Sequence, residues 1–215
     1  MAPWRVQHHS GNVGAFHARG MSAGRTATFF RADSPTLVLG SSQRRDSIDD
    51  EAAAHHGVDV VRRRSGGGGV LLWPDEFVWL DLEIPATDAL WSNDIGHSMW
   101  WVGEFWRAAL ADSEPRAAVY RGRMQRTRWS ADVCFAGTGP GEVMVGTAKL
   151  VGISQRRTRE AARFQSMVHL RWRPEVVASL VADKPPIVDL VPVVRTAAAS
   201  ADHIVAGLTA ALHQL

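Results

Sequence analysis

Lysine is almost missing from this chain. Of 24 basic residues only two, Lys149 and Lys184, are lysines, and the other 22 are arginines. Cysteine is reduced to Cys134 alone. A lone thiol excludes an internal disulfide framework and fits a reducing, cytoplasmic setting. No run of about 18 apolar residues is present, so no membrane span is expected. The opening Met1-Ala2-Pro3-Trp4-Arg5 lacks the apolar core of a signal segment. An excess of one charge is lacking too. A net charge of +2 over 215 residues is too balanced to argue for a nucleic-acid partner. What is plentiful is apolar side chain, at 46% of residues, enough to bury a real core. The length suits one domain spanning residues 1–215.

Scarcity gives lysine meaning. Where arginine is the default cation, a lysine marks a place that needs a compact point charge. Lys184 stands before Pro185-Pro186 and reads as a surface charge. Lys149 lies in Gly146-Thr147-Ala148-Lys149-Leu150-Val151-Gly152-Ile153-Ser154-Gln155-Arg156-Arg157, at the start of an expected strand just after a tight turn.

The chain is organised around a second stretch, Arg62-Arg63-Arg64-Ser65-Gly66-Gly67-Gly68-Gly69-Val70. β-branched and apolar residues flank it on both sides, so the four glycines sit at a strand-to-strand junction. Glycine has no Cβ and reaches φ > 0 cheaply, which lets a ligand lie against the backbone. Amide groups there could hold a carboxylate or phosphate. The plain alternative is a flexible turn with a solvated basic edge.

The first block resembles the RRxSGGGxV signature of lipoate–protein ligases, and the second resembles that family's G-R-K-h-x-G-S-A-Q-R segment, where h is apolar. Gly40 and Gln43 match a G-x-x-Q segment after a hydrophobic strand. The resemblance spans residues 37–170. It implies an α+β fold, with a mixed central sheet flanked by helices, and no C-terminal accessory domain. It also implies ATP-dependent activation of lipoate or octanoate as an acyl-adenylate, with Mg²⁺, and transfer to a lysine of an acceptor lipoyl domain. Lys149 takes the family's catalytic position. Ser65, Gly66, Gly67, Gly68, Gly69 and Val70 would cradle the adenylate or acyl carbonyl. Gly152, Ile153 and Ser154 would wall the acyl head, and Arg63 would contact the nucleotide. No metal-ligating side chains are assigned.

Two stretches depart from the family pattern. Leu71-Leu72-Trp73 stands where many ligases have an aromatic residue and then His-Asp. Phe164-Gln165-Ser166-Met167 stands where Phe-His-His-Gly is common. Two other functions therefore stay open: octanoyl transfer from acyl carrier protein without ATP, and acyl binding without chemistry. Some octanoyltransferases use a cysteine nucleophile. Cys134, between Val133 and Phe135, reads as inert core in a buried strand over 132–136. The basic loop Arg121–Arg128 is either a solvated edge or a dock for an acidic acceptor domain. A repressor-type nucleic-acid role would need a helix-turn-helix segment that the chain has no room for.

The remaining expectations concern elements. Residues 26–31 and 36–40 read as strands. A helix opens at 47–51 and stops at His55-His56-Gly57. Adjacent His55 and His56 do not share a helix face, so they are not a metal pair. Residues 70–72 and 77–83 read as a hairpin. Asn93-Asp94 would cap a helix running through Ile95 to Leu110. Strands follow at 117–120, 142–145, 149–155 and 164–170. A Pro-initiated helix runs from 173 to about 183, then an extended segment over 187–194, then a helix capped by Ser200.

Overall fold

A computed structural model describes residues 3–215. In chain order it contains strand β1 (Arg5–Gly11), helix α1 (Val13–Ala18), β2 (Thr26–Ala32), β3 (Thr36–Leu39), α2 (Asp50–His55), β4 (Asp59–Arg62) and β5 (Val70–Leu72). These are followed by β6 (Phe77–Pro85), α3 (Trp100–Ala109), β7 (Ala118–Val119), β8 (Val143–Val145), β9 (Ala148–Arg157) and β10 (Ala161–His169). The chain closes with α4 (Pro174–Leu180), α5 (Ile187–Leu190) and α6 (Ala201–Leu212). A mixed seven-stranded sheet has the order β1-β2-β6-β10-β9-β8-β7, and a second sheet the order β4-β3-β5. Both are mixed: β1 pairs parallel with β2, and β3 pairs parallel with β4 but antiparallel with β5.

The central pair, β6 and β10, decides the architecture. Successive side chains of a strand point to opposite faces. In β6, Val78, Leu80, Leu82 and Ile84 face one way and join the main core. Across the register Val168 meets Val78, Ser166 meets Leu80 and Phe164 meets Leu82. Val102, Phe105 and Trp106 of α3 and Ile204, Leu208 and Leu212 of α6 cover that face. The opposite face carries Trp79, Asp81 and Glu83 against Met167, Gln165 and Arg163. It is covered by α1 and the small sheet, through Phe16, Val38, Val70 and Leu72. Polar side chains at alternate positions of fully buried strands thus line one internal layer, and the site is built there.

The hairpin expected from 70–83 does not form, because β5 pairs with β3 in the small sheet while β6 pairs with β2 and β10 in the large one. The turn between them hands the chain from one sheet to the other. Helix α3 starts later than expected. The Asp94 carboxylate accepts from the His97 amide at 2.8 Å ahead of a 3₁₀ turn, His97–Met99, that leads into it and has Gly96 at its N-cap, while Ile95 is 62% exposed. The segment 132–136 is no strand: Cys134–Ala136 is a 3₁₀ turn. The segment expected to be extended over 187–194 is helical, α5 followed by a 3₁₀ turn at Val191–Val193. Its apolar residues Ile187, Val188 and Val191 face outward. Trp129 Nε1 donates to Asp189 at 2.9 Å and pins the turn. Helix α2 matches expectation, with Asp49 accepting from the Ala52 amide at 2.8 Å and Gly57 at φ +61° after its end. His56 Nε2 lies 3.0 Å from the Ser179 hydroxyl.

Candidate functional site

The glycine loop is held by the arginines before it. Arg63 is 2% exposed and turns inward. Its guanidinium donates to the carbonyls of Val38 at 2.9 Å, Gly66 at 2.7 Å and Gly68 at 2.9 Å. Burial draws its pKa below the usual guanidinium value, and the neighbouring Cys134 side chain opposes that shift. Arg62 donates to the carbonyls of Gly40 at 2.7 Å and Gln43 at 2.6 Å. Two of the three arginines therefore fasten the backbone, one exposed and one buried, while the exposed Arg64 holds no carbonyl among the described residues.

The four glycines divide into two kinds. Gly68 and Gly69 are buried against the segment 130–134. The Gly69 amide donates to the Asp132 carbonyl at 2.8 Å, and the Cys134 amide to the Gly69 carbonyl at 2.9 Å. A Cβ on Gly68 would lie 2.9 Å from the Cys134 and Val133 nitrogens and the Ser130 oxygen. These two glycines serve backbone-to-backbone approach. Gly66 and Gly67 are exposed, Gly67 with φ +98°. Among the described residues their amides have no hydrogen-bond acceptor. They are the part of the loop open to an anion.

Ser65 is 1% exposed and belongs to a buried polar chain. Its hydroxyl donates to Gln165 Oε1 at 2.8 Å and lies 3.0 Å from the Ser154 hydroxyl. Gln165 Nε2 is 3.2 Å from His17 Nδ1 and 3.4 Å from Asp81 Oδ1. Trp79 Nε1 and Arg19 each donate to Asp81 at 2.7 Å, and Arg163 Nε donates to Glu83 at 2.5 Å. Burial holds Asp81 above the usual carboxylate range against the pull of Arg19 and Arg163. Burial, and then the positive charges of Arg63, Arg19 and Arg163, lowers His17 to about 3, so its ring is neutral. Sequence reading missed this chain of groups. Its one signal was Asp81 and Glu83 inside an otherwise apolar strand, since buried charges require partners.

Lys149 lies at the second position of β9 and is 1% exposed. Gly146, at φ +61°, makes the turn that precedes it. Its Nζ is 2.8 Å from both carboxylate oxygens of Glu142 and donates to the Cys134 carbonyl at 2.8 Å. It also lies 5.2 Å from the centre of the Phe135 ring. Glu142, 3% exposed, further accepts from the amides of Gly139 at 2.6 Å and Ile153 at 3.3 Å. No sequence signal singled out Glu142; the chain turns back at Gly141 to bring it under the lysine.

The two sequence blocks meet here. Arg63, Val70, Cys134, Gly152, Ile153 and Ser154 line one small internal cavity of about 10 Å³. A Cβ on Gly152 would come within 3.0 Å of the Phe135 ring, so glycine is what lets that ring lie flat over the strand. Cys134 packs against the core cluster that holds Phe135 and Met167. It is half-buried in its turn, and a Cβ on Gly67 would lie 3.4 Å from its sulfur and 2.9 Å from Arg63. Beyond the Ser154 end stands Arg156, whose pKa is lowered by burial and then by Arg64 and Arg163. Among the described residues neither Arg64 nor Arg156 has a carboxylate within ion-pair range. A larger cleft, about 460 Å³, lies on the outer side of Gly67, lined by Gln43, Arg44, Met124, Arg126 and Asp132 among others. Among the described residues no three histidine, cysteine, aspartate or glutamate side chains converge on a metal position, and no helix is long and apolar enough to cross a membrane.

A mixed sheet with helices on one face and a small sheet on the other is the fold shared with solved lipoate–protein ligases. A putative lipoate protein ligase from T. acidophilum, solved with lipoic acid, superposes with a TM-score of 0.72 at 13% identity, over 99% of this chain and 85% of that one. A lipoate-protein ligase A bound with ATP gives 0.70 at 13% identity, over 99% and 85%. A bi-partite archaeal lipoate protein ligase, also from T. acidophilum and described with its E2 lipoyl domain, gives 0.67 at 13% identity, over 100% and 84%. At such identities the likeness establishes the fold. No curated protein matches the chain. The family model for the lipoyl protein ligase A/B catalytic domain matches residues 15–186, and the chain belongs to that family.

Proposed function

We propose that this protein attaches lipoate, or a related medium-chain acid such as octanoate, to a lysine of an acceptor lipoyl domain, activating the acid with ATP. The observation that carries the proposal is the ammonium of Lys149, sealed between Glu142 and the Cys134 carbonyl, with its side chain next to Gly152 of the cavity wall. Activation brings a carboxylate and an α-phosphate together. The carboxylate oxygen attacks the α-phosphorus and pyrophosphate leaves. The acceptor amine then attacks the acyl carbon, an amide forms, and AMP leaves. A fixed ammonium screens the meeting of two anions and stabilises charge as it develops. Arg64, Arg156 and the amides of Gly66 and Gly67 supply further positive potential toward a phosphate.

The cavity of about 10 Å³ is far below the roughly 300–1,000 Å³ of small-molecule sites. An acyl chain therefore enters by displacing the side chains over β9. Among the described residues no three carboxylate, histidine or cysteine side chains converge, so a Mg²⁺ ion would be held chiefly by the nucleotide's own phosphates. The test is pyrophosphate release with lipoate, octanoate and biotin side by side. Lys149→Met should abolish release; retention of more than a tenth of the wild-type rate would sink the proposal.

A second reading is favoured by the position of Cys134. Its sulfur lies beside the Arg63 guanidinium and near Gly67, and the residue is only half-buried. In that route the thiolate attacks an acyl thioester, the carrier thiol leaves, and the acceptor amine later displaces Cys134. No nucleotide is consumed. Cys134→Ser with full ATP-dependent activity excludes this route. An acylated Cys134 formed from acyl carrier protein without ATP establishes it.

A further inference from the structure

The loop Arg121–Arg128 is eight consecutive exposed residues that end beside the glycine loop. Arg121 is paired with Glu104 at 2.8 Å. Arg123, Arg126 and Arg128 have no carboxylate within ion-pair range among the described residues. The loop is nevertheless braced. Gln125 and Thr138 exchange backbone hydrogen bonds at 2.8 and 2.9 Å. The Tyr120 hydroxyl donates to the Arg123 carbonyl at 2.7 Å, and Thr127 Oγ1 to the Ala136 carbonyl at 2.9 Å. Arg128 stacks over the ring of buried Trp129 at 4.7 Å. A basic surface held in place by its own backbone loses little freedom when a partner arrives.

Met124, 50% exposed, stands between the arginines and lines the 460 Å³ cleft together with Arg126 and Gly67. The cleft thus spans from the basic loop to Gly67, where a Cβ would lie 2.9 Å from Arg63 and 3.4 Å from the Cys134 sulfur.

We propose that this loop is the docking surface for the acceptor protein, which sets acidic residues around its target lysine against Arg123, Arg126 and Arg128 and its apolar contact on Met124. The proposal rests on the acyl-transfer reading above. Charge complementarity selects the partner class. A nucleic acid would want exposed rings for base stacking, and the loop's one indole, Trp129, is 6% exposed with its Nε1 engaged by Asp189.

The test uses the full chain and a recombinant lipoyl domain of net negative charge. Binding is read by fluorescence anisotropy without ATP, and transfer by the KM for the acceptor. The variant R123E/R126E/R128E should weaken binding and raise KM by tenfold or more, while acceptor-free pyrophosphate release from lipoate and ATP stays at the wild-type rate. Wild-type affinity should fall steeply between 50 and about 300 mM salt, as screening requires. No binding by the wild type, an unchanged KM in the variant, or variant-sensitive binding of a single-stranded RNA oligonucleotide in place of the lipoyl domain overturns the proposal. Loop-dependent docking without any acyl activation would leave the surface assigned and remove the ligase reading, so the two failures are distinguishable.

Discussion

The pair Lys149–Glu142 offers the sharpest test of the site's physical basis. Glu142→Gln keeps the shape and an acceptor oxygen but removes the charge. Both partners are nearly inaccessible, at 1% and 3%, and lie 2.8 Å apart. What remains around the ammonium is one carbonyl, that of Cys134, and the face of Phe135. Breaking a buried ion pair on one side costs about 3–5 kcal/mol, because the other charge is left desolvated. In a chain of this size each kcal/mol moves the melting temperature by about 2–4 °C, so the loss should be roughly 6–20 °C. Urea titration and thermal melts at neutral pH measure it. The double variant Glu142→Gln/Lys149→Met removes both charges and should recover more than half of the loss. The effect should persist at high salt, since a sealed pair is poorly screened. A single-variant loss below about 1 kcal/mol, or a double variant no more stable than the single, would show that water reaches the ammonium in the free protein.

Other outcomes follow from neighbouring features. His169 and His17 are both lowered from 6.5 to about 3, His169 by burial alone. The unfolded chain takes up these protons first as pH falls, so this stabilisation is complete above about 6.5 and is lost progressively toward pH 3. At pH 5 the cost is about 2 kcal/mol for each histidine, and urea titrations of His169→Gln should show about half the wild-type acid dependence; equal slopes would contradict the assignment. Gly68→Ala should cost about 1–3 kcal/mol by forcing a Cβ against three backbone atoms, while Gly66→Ala, whose Cβ meets nothing within 4 Å, should stay within about 0.5 kcal/mol by thermal melt. Equal effects of the two would mean that the loop relaxes freely.

How much of this was legible beforehand depended on the kind of signal. The glycine block and the lysine block are local patterns with fixed spacing, and they led to the loop and to β9. Period-two alternation placed the strands, and capping residues placed α2 and α6. The errors arose where a segment's state is settled by its neighbours. Ile187–Val194 has β-branched residues and still forms helical turns, with Leu190 its one fully buried residue, and it meets a strand only at its end, where Val194 makes a single parallel bridge to Lys149. Cys134 sits between apolar residues yet opens a 3₁₀ turn, and the strand-like pairing of this stretch is confined to one parallel bridge between Val133 and Gly69.

The roles within the motifs were decided at longer range still. The sequence alone singled out a scarce lysine and a glycine run, since residue type and spacing carry that information. It could not determine that Arg63 holds carbonyls together, that Glu142 holds the ammonium, or that Ser65 is tied through Gln165 to Asp81. Ser65 of the loop and Gln165 of β10 are 100 residues apart in sequence. A hydrogen bond or ion pair forms only where the folded backbone brings donor and acceptor within about 3 Å, and no local pattern encodes that distance.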